Sequence, residues 1–544
     1  WQSRPWRTEH GVWETQPTRV SGADDLGLLA EYTRVGFLRL MAACPAISGI
    51  QLRMNIESGV GDQRFFVRAF VPALRELAAH GRRLTVELRN WGLRPETLQA
   101  FQEAGVEVVV SAKYFAEHQA MPYQPPVMRG SYSYDSLLRR GKPYPFQWHL
   151  WNLGSHRLFN WGDPDYARCF ALSCHLGHGI GFEVTPPGSQ KGFSQWGQVS
   201  PGDWQARTDL PPRPDFQRYW FFHLAFGRMG YDPSTEEAVF LRQLARRTCD
   251  EAATPLLAAY RAASQVVSYL ISHHMDDPNM YVWPELDCGG LIDHHLIAPP
   301  GEETLFATPQ EHASAKLAGR ASAKRSPFQA AEELETIAGE IERRLHKLSN
   351  LPNLEMSLEW RTVRVDFAAL AHLARYHAAK ARASGHLALF YASGERRYLD
   401  AAESDATEGV RRWERLEAST EVYYRDLHLG PSGGHWHDNC RRVGYDLKRI
   451  ARVRELFEAY GLFTAGFDFG PALDEGLAPR LRSGLESEPR FTCVGPLDAY
   501  DPARGWGWRR AVGIRAVGPA PLPRDRVWGV HYVKPGAPPD PGEV

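Results

Sequence analysis

The sequence predicts an α/β fold, a (β/α)8 barrel of the TIM type, followed by an all-α helical domain and a small C-terminal β segment. Between about residues 22 and 210, amphipathic helical stretches alternate with short apolar strands. Three successive helix–strand units of about thirty residues favour parallel strand pairing. Beyond residue 215, helical patterns with apolar positions three and four residues apart replace this alternation.

Most of the predicted strands begin as an apolar run and finish in charged or aromatic residues. The strands are Ile47–Ser58, Arg83–Trp91, Val106–His118, Phe146–Trp151 and Gly179–Pro187. The helices that precede the first three strands are Asp24–Ala43, Asp62–His80 and Arg94–Ala104. In a barrel of this type, the C-terminal ends of the strands build the pocket, so these polar ends predict an active site.

Three domains are predicted. They are a catalytic barrel over 1–212, a helical domain over 213–462 and a small, truncated β-domain over 463–544. The helices predicted in the second domain are Phe216–Arg228, Glu236–Tyr260, Ala263–His273, Ala330–Leu348, Val365–Ser384 and Asp405–Ala418. Because the sequence opens at Trp1 and closes in a Pro/Gly-rich stretch, we expect either a processed protein or a fragment.

Composition narrows the class of partner. The formal net charge of −1 gives no electrostatic case for nucleic acid, and no apolar run is long enough to span a bilayer. The 17 Trp residues suit a carbohydrate partner, because an indole face stacks on a pyranose ring, although most of them are expected in cores. The seven Cys are scattered and the His pairs lack a metal-ligand spacing, so neither a metal nor a cofactor is expected.

Three carboxylates at strand ends are the candidate catalytic residues. Glu183 closes the apolar strand GIGFEV before two prolines, Glu117 follows the strand that begins at Val106, and Glu57 ends the strand QLRMNIE. The structural alternatives are an ion pair for Glu57 and for Glu183, and a cap of the following segment for Glu117. We take Glu183 and Glu117 as the predicted acid pair and Glu57 as a reserve.

Two other carboxylates receive structural interpretations. Glu87 alternates with Arg89 on one face of its strand, which predicts an ion pair inside the barrel. Asp163 precedes Pro164, the pattern of an N-cap followed by proline at the first helical position.

The predicted substrate-binding residues are cations, aromatic rings and polar groups near the same strand ends and in two loops. They are Arg89, Trp91, Lys113, His118, Trp151, Arg157, Trp161, Lys191 and Glu285. The cations suit an acidic substituent and the Trp rings suit the sugar. Glu285 belongs to the loop NMYVWPEL, which is predicted either to reach the barrel mouth or to pack between helices.

Four segments carry a family resemblance: AKYFAEHQAMPY, NWGDPDY, WFFHLAFGRMGYDP and NMYVWPEL. They resemble bacterial proteins related to glycoside hydrolase family 67, the α-glucuronidases, and are closer to an uncharacterised relative group. The resemblance covers about residues 20–460 and implies a barrel followed by an all-α domain. It does not align the family's catalytic carboxylates, and the family's preceding β-domain is not in this sequence, as is expected if the chain is truncated. The segments FDFGP and YDPARGWGW look like the opening of a galactose-binding-like jelly roll.

The predicted function is hydrolysis of a polysaccharide or oligosaccharide by two carboxylates, and the resemblance implies a uronic acid in the substrate. A non-catalytic glycan-binding barrel, and a sugar lyase or isomerase on the same fold, stay open as alternatives. A protein of this kind is expected to be secreted or periplasmic.

Overall fold

The structure of the protein is a computed structural model. It describes residues 25–52, 54, 62–90, 93–113, 121–122, 144–150, 157–175, 179–185, 187, 207–211, 214–274, 284–296, 298–425, 435–460, 466–468 and 491–493. The chain divides into two compact units, Trp1–Ala451 and Arg452–Val544. In the second unit, β6 (Gly466–Asp468) and β7 (Phe491–Cys493) form a small parallel pair.

The first unit contains a parallel sheet of five strands. The strands are β1 (Gly49–Leu52), β2 (Thr85–Arg89), β3 (Glu107–Lys113), β4 (Phe146–Leu150) and β5 (Gly179–Val184). They pair in the order in which they occur in the chain, β1-β2-β3-β4-β5. The predicted parallel pairing is therefore confirmed, and this sheet has five strands in the part of the chain that the structure describes.

Four helices accompany the sheet. They are α1 (Leu26–Ala43), α2 (Gln63–Ala79), α3 (Pro95–Gln102) and α4 (Pro164–Ser173). The first three lie within the predicted ranges because local signals fix their starts. Asp25 and Asp62 accept hydrogen bonds from backbone N–H groups of the first turns of α1 and α2, and Pro95 occupies the first position of α3. Asp163 caps α4 in the same way, as the sequence predicts.

The described residues of the first unit from Asp215 onward are mainly helical. Their helices are α5 (Asp215–Arg218), α6 (Trp220–Tyr231), α7 (Glu237–Ala245), α8 (Asp250–His273), α9 (Ile292–His295), α10 (Pro309–Leu317), α11 (Pro327–Ser349), α12 (Leu358–Ser393), α13 (Arg396–Thr420) and α14 (Cys440–Tyr460), of which α14 continues past residue 451. Several boundaries differ from the predictions. The predicted helix Glu236–Tyr260 is broken between α7 and α8, and α8 then continues without interruption to His273, with most of its side chains buried.

Two apolar cores hold the first unit together. One lies between β1, β2 and the helices α1 to α3, and the other combines β3 and β4 with α4, α6, α8, α11 and α12. The second core includes residues on both sides of the predicted boundary at 212, whose position, like that at 462, stays a prediction. In the part of the chain that is described, no helix has the length and apolarity needed to cross a membrane.

Candidate active site

One face of the sheet is polar and the other is apolar, and strand register decides which residue lies on which. The parallel register aligns Gln51 with Glu87, Arg89 with Ser111, and His149 with Glu183. Register partners in a parallel sheet point to the same side, and neighbours along a strand point to opposite sides. These six polar side chains therefore share one face. The opposite face carries Leu52, Val86, Leu88, Val110 and Trp148, all buried in the two cores.

The polar face is concave. The Gln51 side chain on β1 donates from Nε2 to Glu87 Oε1 at 2.6 Å and to Glu183 Oε1 on β5 at 3.4 Å. Strands in a sheet lie 4.7–4.9 Å apart, so the first and last of five flat strands would be about 19 Å apart. A direct contact between their side chains requires the sheet to curve strongly. The polar residues consequently line the inside of a curved parallel sheet.

Glu183 is the centre of this polar face. Its side chain is 32% exposed, and its Oε1 lies 2.8 Å from Nδ1 of His149, which is 8% exposed. The other ring nitrogen of His149, Nε2, lies 3.1 Å from Thr185 Oγ1. Strand β5 begins close to the end of α4, since a Cβ on Gly179 would lie 1.9 Å from the carbonyl oxygen of Cys174. Glycine at this position is therefore needed to place Glu183 opposite His149.

The two carboxyl groups of the site have pKa values displaced in opposite directions. Burial raises the pKa of Glu87, and the nearby charge of Glu183 adds to that effect. Burial also acts to raise the pKa of Glu183, but the contact with His149 and the positive charges of His149 and Arg89 outweigh it and leave that pKa below its ordinary value of 4.5. Glu183 is thus biased toward the carboxylate and Glu87 toward the protonated acid.

The structure brings two of the predicted site residues together and places a third by its backbone. Arg89 lies on the polar face of β2, is 7% exposed, and its charge acts on Glu183. Lys113 is the last residue of β3 and is aligned with His149 in the sheet register. The predicted residues Glu57, Trp91, Glu117, His118, Trp151 and Lys191 lie outside the described part of the chain.

The predicted role of Trp161 as a stacking platform does not fit its position. The indole is 1% exposed and packs inside the helical core, stacked on Phe226 at a centroid distance of 5.3 Å and edge-on to Tyr166. A sugar cannot reach a ring that is covered in this way. Trp161 is a core residue in this structure.

Arg157 and Glu285 are also scaffold residues rather than substrate ligands. Arg157 Nε lies 2.6 Å from Glu285 Oε1, with side-chain exposures of 1% and 0%. The other oxygen of Glu285 accepts hydrogen bonds from the backbone N–H groups of Leu158 and Phe159 at 2.5 and 2.9 Å. The acceptor capacity of Glu285 is used to anchor the segment before α4, so neither side chain is available to an acidic sugar.

The sequence did not identify Gln51 as part of the site or predict the position of His149. Glu87 was interpreted as one member of an ion pair inside the barrel. The signal was present in the alternation of polar and apolar residues along β1, β2 and β4, but their convergence depends on the curvature of the sheet. Metal binding finds no support in the residues that are described, where no group of three His, Cys, Asp or Glu side chains is arranged to hold an ion.

Comparisons with known proteins bear on the fold. No family model matches the chain, and a search of curated proteins gives no significant match. Among solved structures, the chain is similar to a GH138 enzyme targeting pectin rhamnogalacturonan II, with a TM-score of 0.66 and 14% sequence identity over 82% of this chain and 54% of that one. This chain therefore spans about half the length of that enzyme.

A second structure, a mutant of the Thermobaculum terrenum O-GlcNAc hydrolase, matches with a TM-score of 0.20 and 10% identity over 80% of this chain and 94% of that chain. A superposition of that quality does not indicate a common fold. The first similarity shows that this chain shares its fold with the GH138 enzyme over most of its own length.

Proposed function

We propose that this protein is a glycoside hydrolase that acts on a polysaccharide or oligosaccharide by a two-carboxylate mechanism. One observation carries the proposal. The partly exposed carboxylate Glu183 lies on the concave polar face, held by His149 and tied through Gln51 to a second carboxyl group whose pKa is displaced the other way. Environments that separate the pKa values of two carboxyl groups are typical of sites that perform acid–base chemistry.

In the proposed reaction, Glu183 acts in its ionised form. It either attacks the anomeric carbon, forming a glycosyl ester that water hydrolyses in a second step, or takes a proton from a water that attacks directly. In both cases a protonated carboxyl group on the other side of the bond gives its proton to the leaving oxygen, and in the first case the same group then takes a proton from the hydrolysing water. Glu117, which follows β3 in the sequence, is our candidate for that acid, and Glu57 is the reserve. The products are two shorter saccharides, one of which carries a new reducing end.

The cations near the site suggest the substrate class. Arg89 lies on the polar face of β2, Lys113 is the last residue of β3, and Lys191 follows β5 in the sequence. A uronic acid supplies the carboxylate that such residues bind through charge-assisted hydrogen bonds. We therefore propose an acidic saccharide, as in an α-glucuronidase-like activity. Trp91, Trp151 and His118 are proposed to contact the sugar ring.

The finer description of the fold belongs to the same proposal. The five parallel strands follow one another in chain order, and the sheet curves until side chains of its first and last strands are in contact. Five consecutive strands of a (β/α)8 barrel have this arrangement. A doubly wound sheet would instead reverse its strand order at one point. We propose a closed barrel, a galactose-binding-like C-terminal β-domain, and a secreted or periplasmic location.

The proposal is tested with a panel of oligo- and polysaccharides that contains uronate-bearing and neutral members. The expected result is release of reducing ends from at least one uronate-bearing saccharide, with strong loss in Glu117→Gln. Unsaturated products that absorb in the ultraviolet would indicate a lyase. Saccharide binding without turnover on the whole panel would indicate a non-catalytic glycan-binding protein. Either result overturns the hydrolase proposal.

A further inference from the structure

The Gln51 amide joins the two carboxyl groups of the polar face. Its Nε2 lies 2.6 Å from Glu87 Oε1 and 3.4 Å from Glu183 Oε1, and the Gln51 side chain is exposed on the concave face. An amide group can donate two hydrogen bonds, and a donor shared by two acceptors holds both in a fixed relation. Gln51 therefore couples the geometry of β1 and β2 to the candidate catalytic carboxylate on β5.

Two carboxyl groups that share a donor cannot both be ionised without cost. Both oxygens that contact Gln51 lie within about 6 Å of each other, since their distances to the same nitrogen limit the separation, and like charges this close disfavour each other. The groups that face them decide which one ionises first. His149 on β4 contacts Glu183, Arg89 on β2 acts on both, and Lys113 ends β3 at the level of His149.

We propose that Gln51 and Glu87 are positioning residues for Glu183. In this arrangement Glu87 retains its proton while Glu183 is charged, and Gln51 holds the two carboxyl groups together. The consequence is a carboxyl pair that carries one negative charge, on Glu183. This inference rests on the proposed function for its biological purpose. The coupling itself can be measured without any substrate.

The test is a titration of the two carboxyl groups by NMR, with glutamate labelled at the carboxyl carbon and the resonances assigned by Glu183→Gln and Glu87→Gln in the full chain. Two steps are expected in the wild type, with Glu183 titrating below Glu87. In Glu183→Gln, the remaining Glu87 step should move to lower pH, because the neighbouring charge is lost. In Glu87→Gln, the Glu183 step should stay in place, since Glu87 is neutral while Glu183 titrates.

Gln51→Ala should move both steps to higher pH, by about one unit, because each charged form loses a hydrogen-bond donor. Gln99→Ala is the matched control. On the surface of α3, Gln99 donates to Glu103 at 2.8 Å, so the control breaks the same kind of pair away from the sheet and should move neither step. In the active enzyme, the acidic limb of the kcat/KM profile against pH should follow the Glu183 step. It should therefore move in Gln51→Ala and stay in place in Gln99→Ala.

The inference is overturned if Glu183→Gln leaves the Glu87 step unchanged, or if Gln51→Ala moves neither step in a protein whose circular dichroism is that of the wild type. The proposed function fails separately. If the coupling is present but no saccharide is cleaved, the hydrolase is rejected and the coupled carboxyl pair stands.

Discussion

Two glutamates of this protein each lie beside a cation, and they differ in what surrounds the pair. Glu285 is wholly buried with Arg157, and its second oxygen accepts from two backbone N–H groups. Glu183 is 32% exposed, and its contacts with His149 and Gln51 both use Oε1. The first carboxylate is saturated by its own chain, whereas the second keeps an oxygen that makes no hydrogen bond to a described residue.

This difference separates scaffold from site more reliably than residue type does. Both glutamates were predicted to act on substrate, Glu183 because it closes an apolar strand and Glu285 because it lies in a polar, aromatic loop. A buried charge must have its hydrogen-bond partners supplied by the protein, or folding becomes unfavourable. A catalytic carboxylate needs the opposite condition, a free acceptor and an open side. Glu183 meets that condition within the described part of the chain.

The largest effect on stability is expected from Glu285→Gln. It removes the negative charge that Glu285 places beside the buried Arg157 guanidinium, which should lower the free energy of unfolding by about 3–5 kcal/mol. Urea unfolding followed by circular dichroism measures the loss. Glu183→Gln is the matched comparison, and it should cost no more than about 1 kcal/mol because its ion pair is partly exposed. Equal losses in the two variants would mean that Glu285 and Glu183 contribute equally to the stability of the fold.

His149→Asn tests whether His149 controls the charge of Glu183. It keeps a donor near the carboxylate but removes the positive charge, so the pKa of Glu183 should rise from its depressed value toward or above 4.5. Because a carboxyl group with a lowered pKa is charged above that pKa, activity that needs the charge is lost as pH falls through it. The acidic limb of the pH–rate profile should therefore move to higher pH by about one unit. An unmoved limb would show that His149 does not control the charge of Glu183.

The smallest effect is expected at a third carboxylate, which is buried but acts as a helix cap. Asp163 Oδ1 accepts from the backbone N–H groups of Asp165 and Tyr166, and burial raises its pKa to about 6. Asp163→Ala should cost about 1 kcal/mol of stability through loss of the cap. Asp163→Asn keeps the acceptor and cannot ionise.

The pH dependence at Asp163 follows from the sign of the shift. Because the pKa of Asp163 is raised, the stability that its protonated form contributes is lost as pH rises from 3.8 through about 6. Asp163→Asn does not lose this contribution, so its free energy of unfolding should increase relative to that of the wild type over the same pH range. Thermal unfolding at pH 4 and pH 7 measures this difference. A constant difference between the two proteins at both pH values would contradict the buried, uncharged state of Asp163.

Local signals made part of this structure predictable. The N-caps at Asp25, Asp62 and Asp163 and the period of the apolar residues fix α1, α2 and α4, and the run of helix–strand units fixes the parallel sheet. Long-range packing decided the rest. Trp161 is buried because α6 brings Phe226 against its ring, and no pattern near residue 161 contains that information.

The candidate site was predictable to the same extent. Glu183 and Arg89 follow from their places on strands, because position in a strand fixes the face on which a side chain lies. Gln51 and Glu87 join the site only because the sheet curves, which depends on all five strands and the helices behind them. A lone glutamine in the short, mostly exposed strand β1 gives no sign of that partnership.

Glu183 is expected to perform chemistry and Glu285 to maintain the fold, and one assay distinguishes these two roles. Reducing-end release from the best uronate-bearing saccharide is measured for the wild type, Glu183→Gln and Glu285→Gln, at a temperature where all three are folded. The rate of reducing-end release should fall by about 10²- to 10⁴-fold in Glu183→Gln, whereas folded Glu285→Gln should keep most of the wild-type rate. A Glu183→Gln protein as active as the wild type would contradict this expectation.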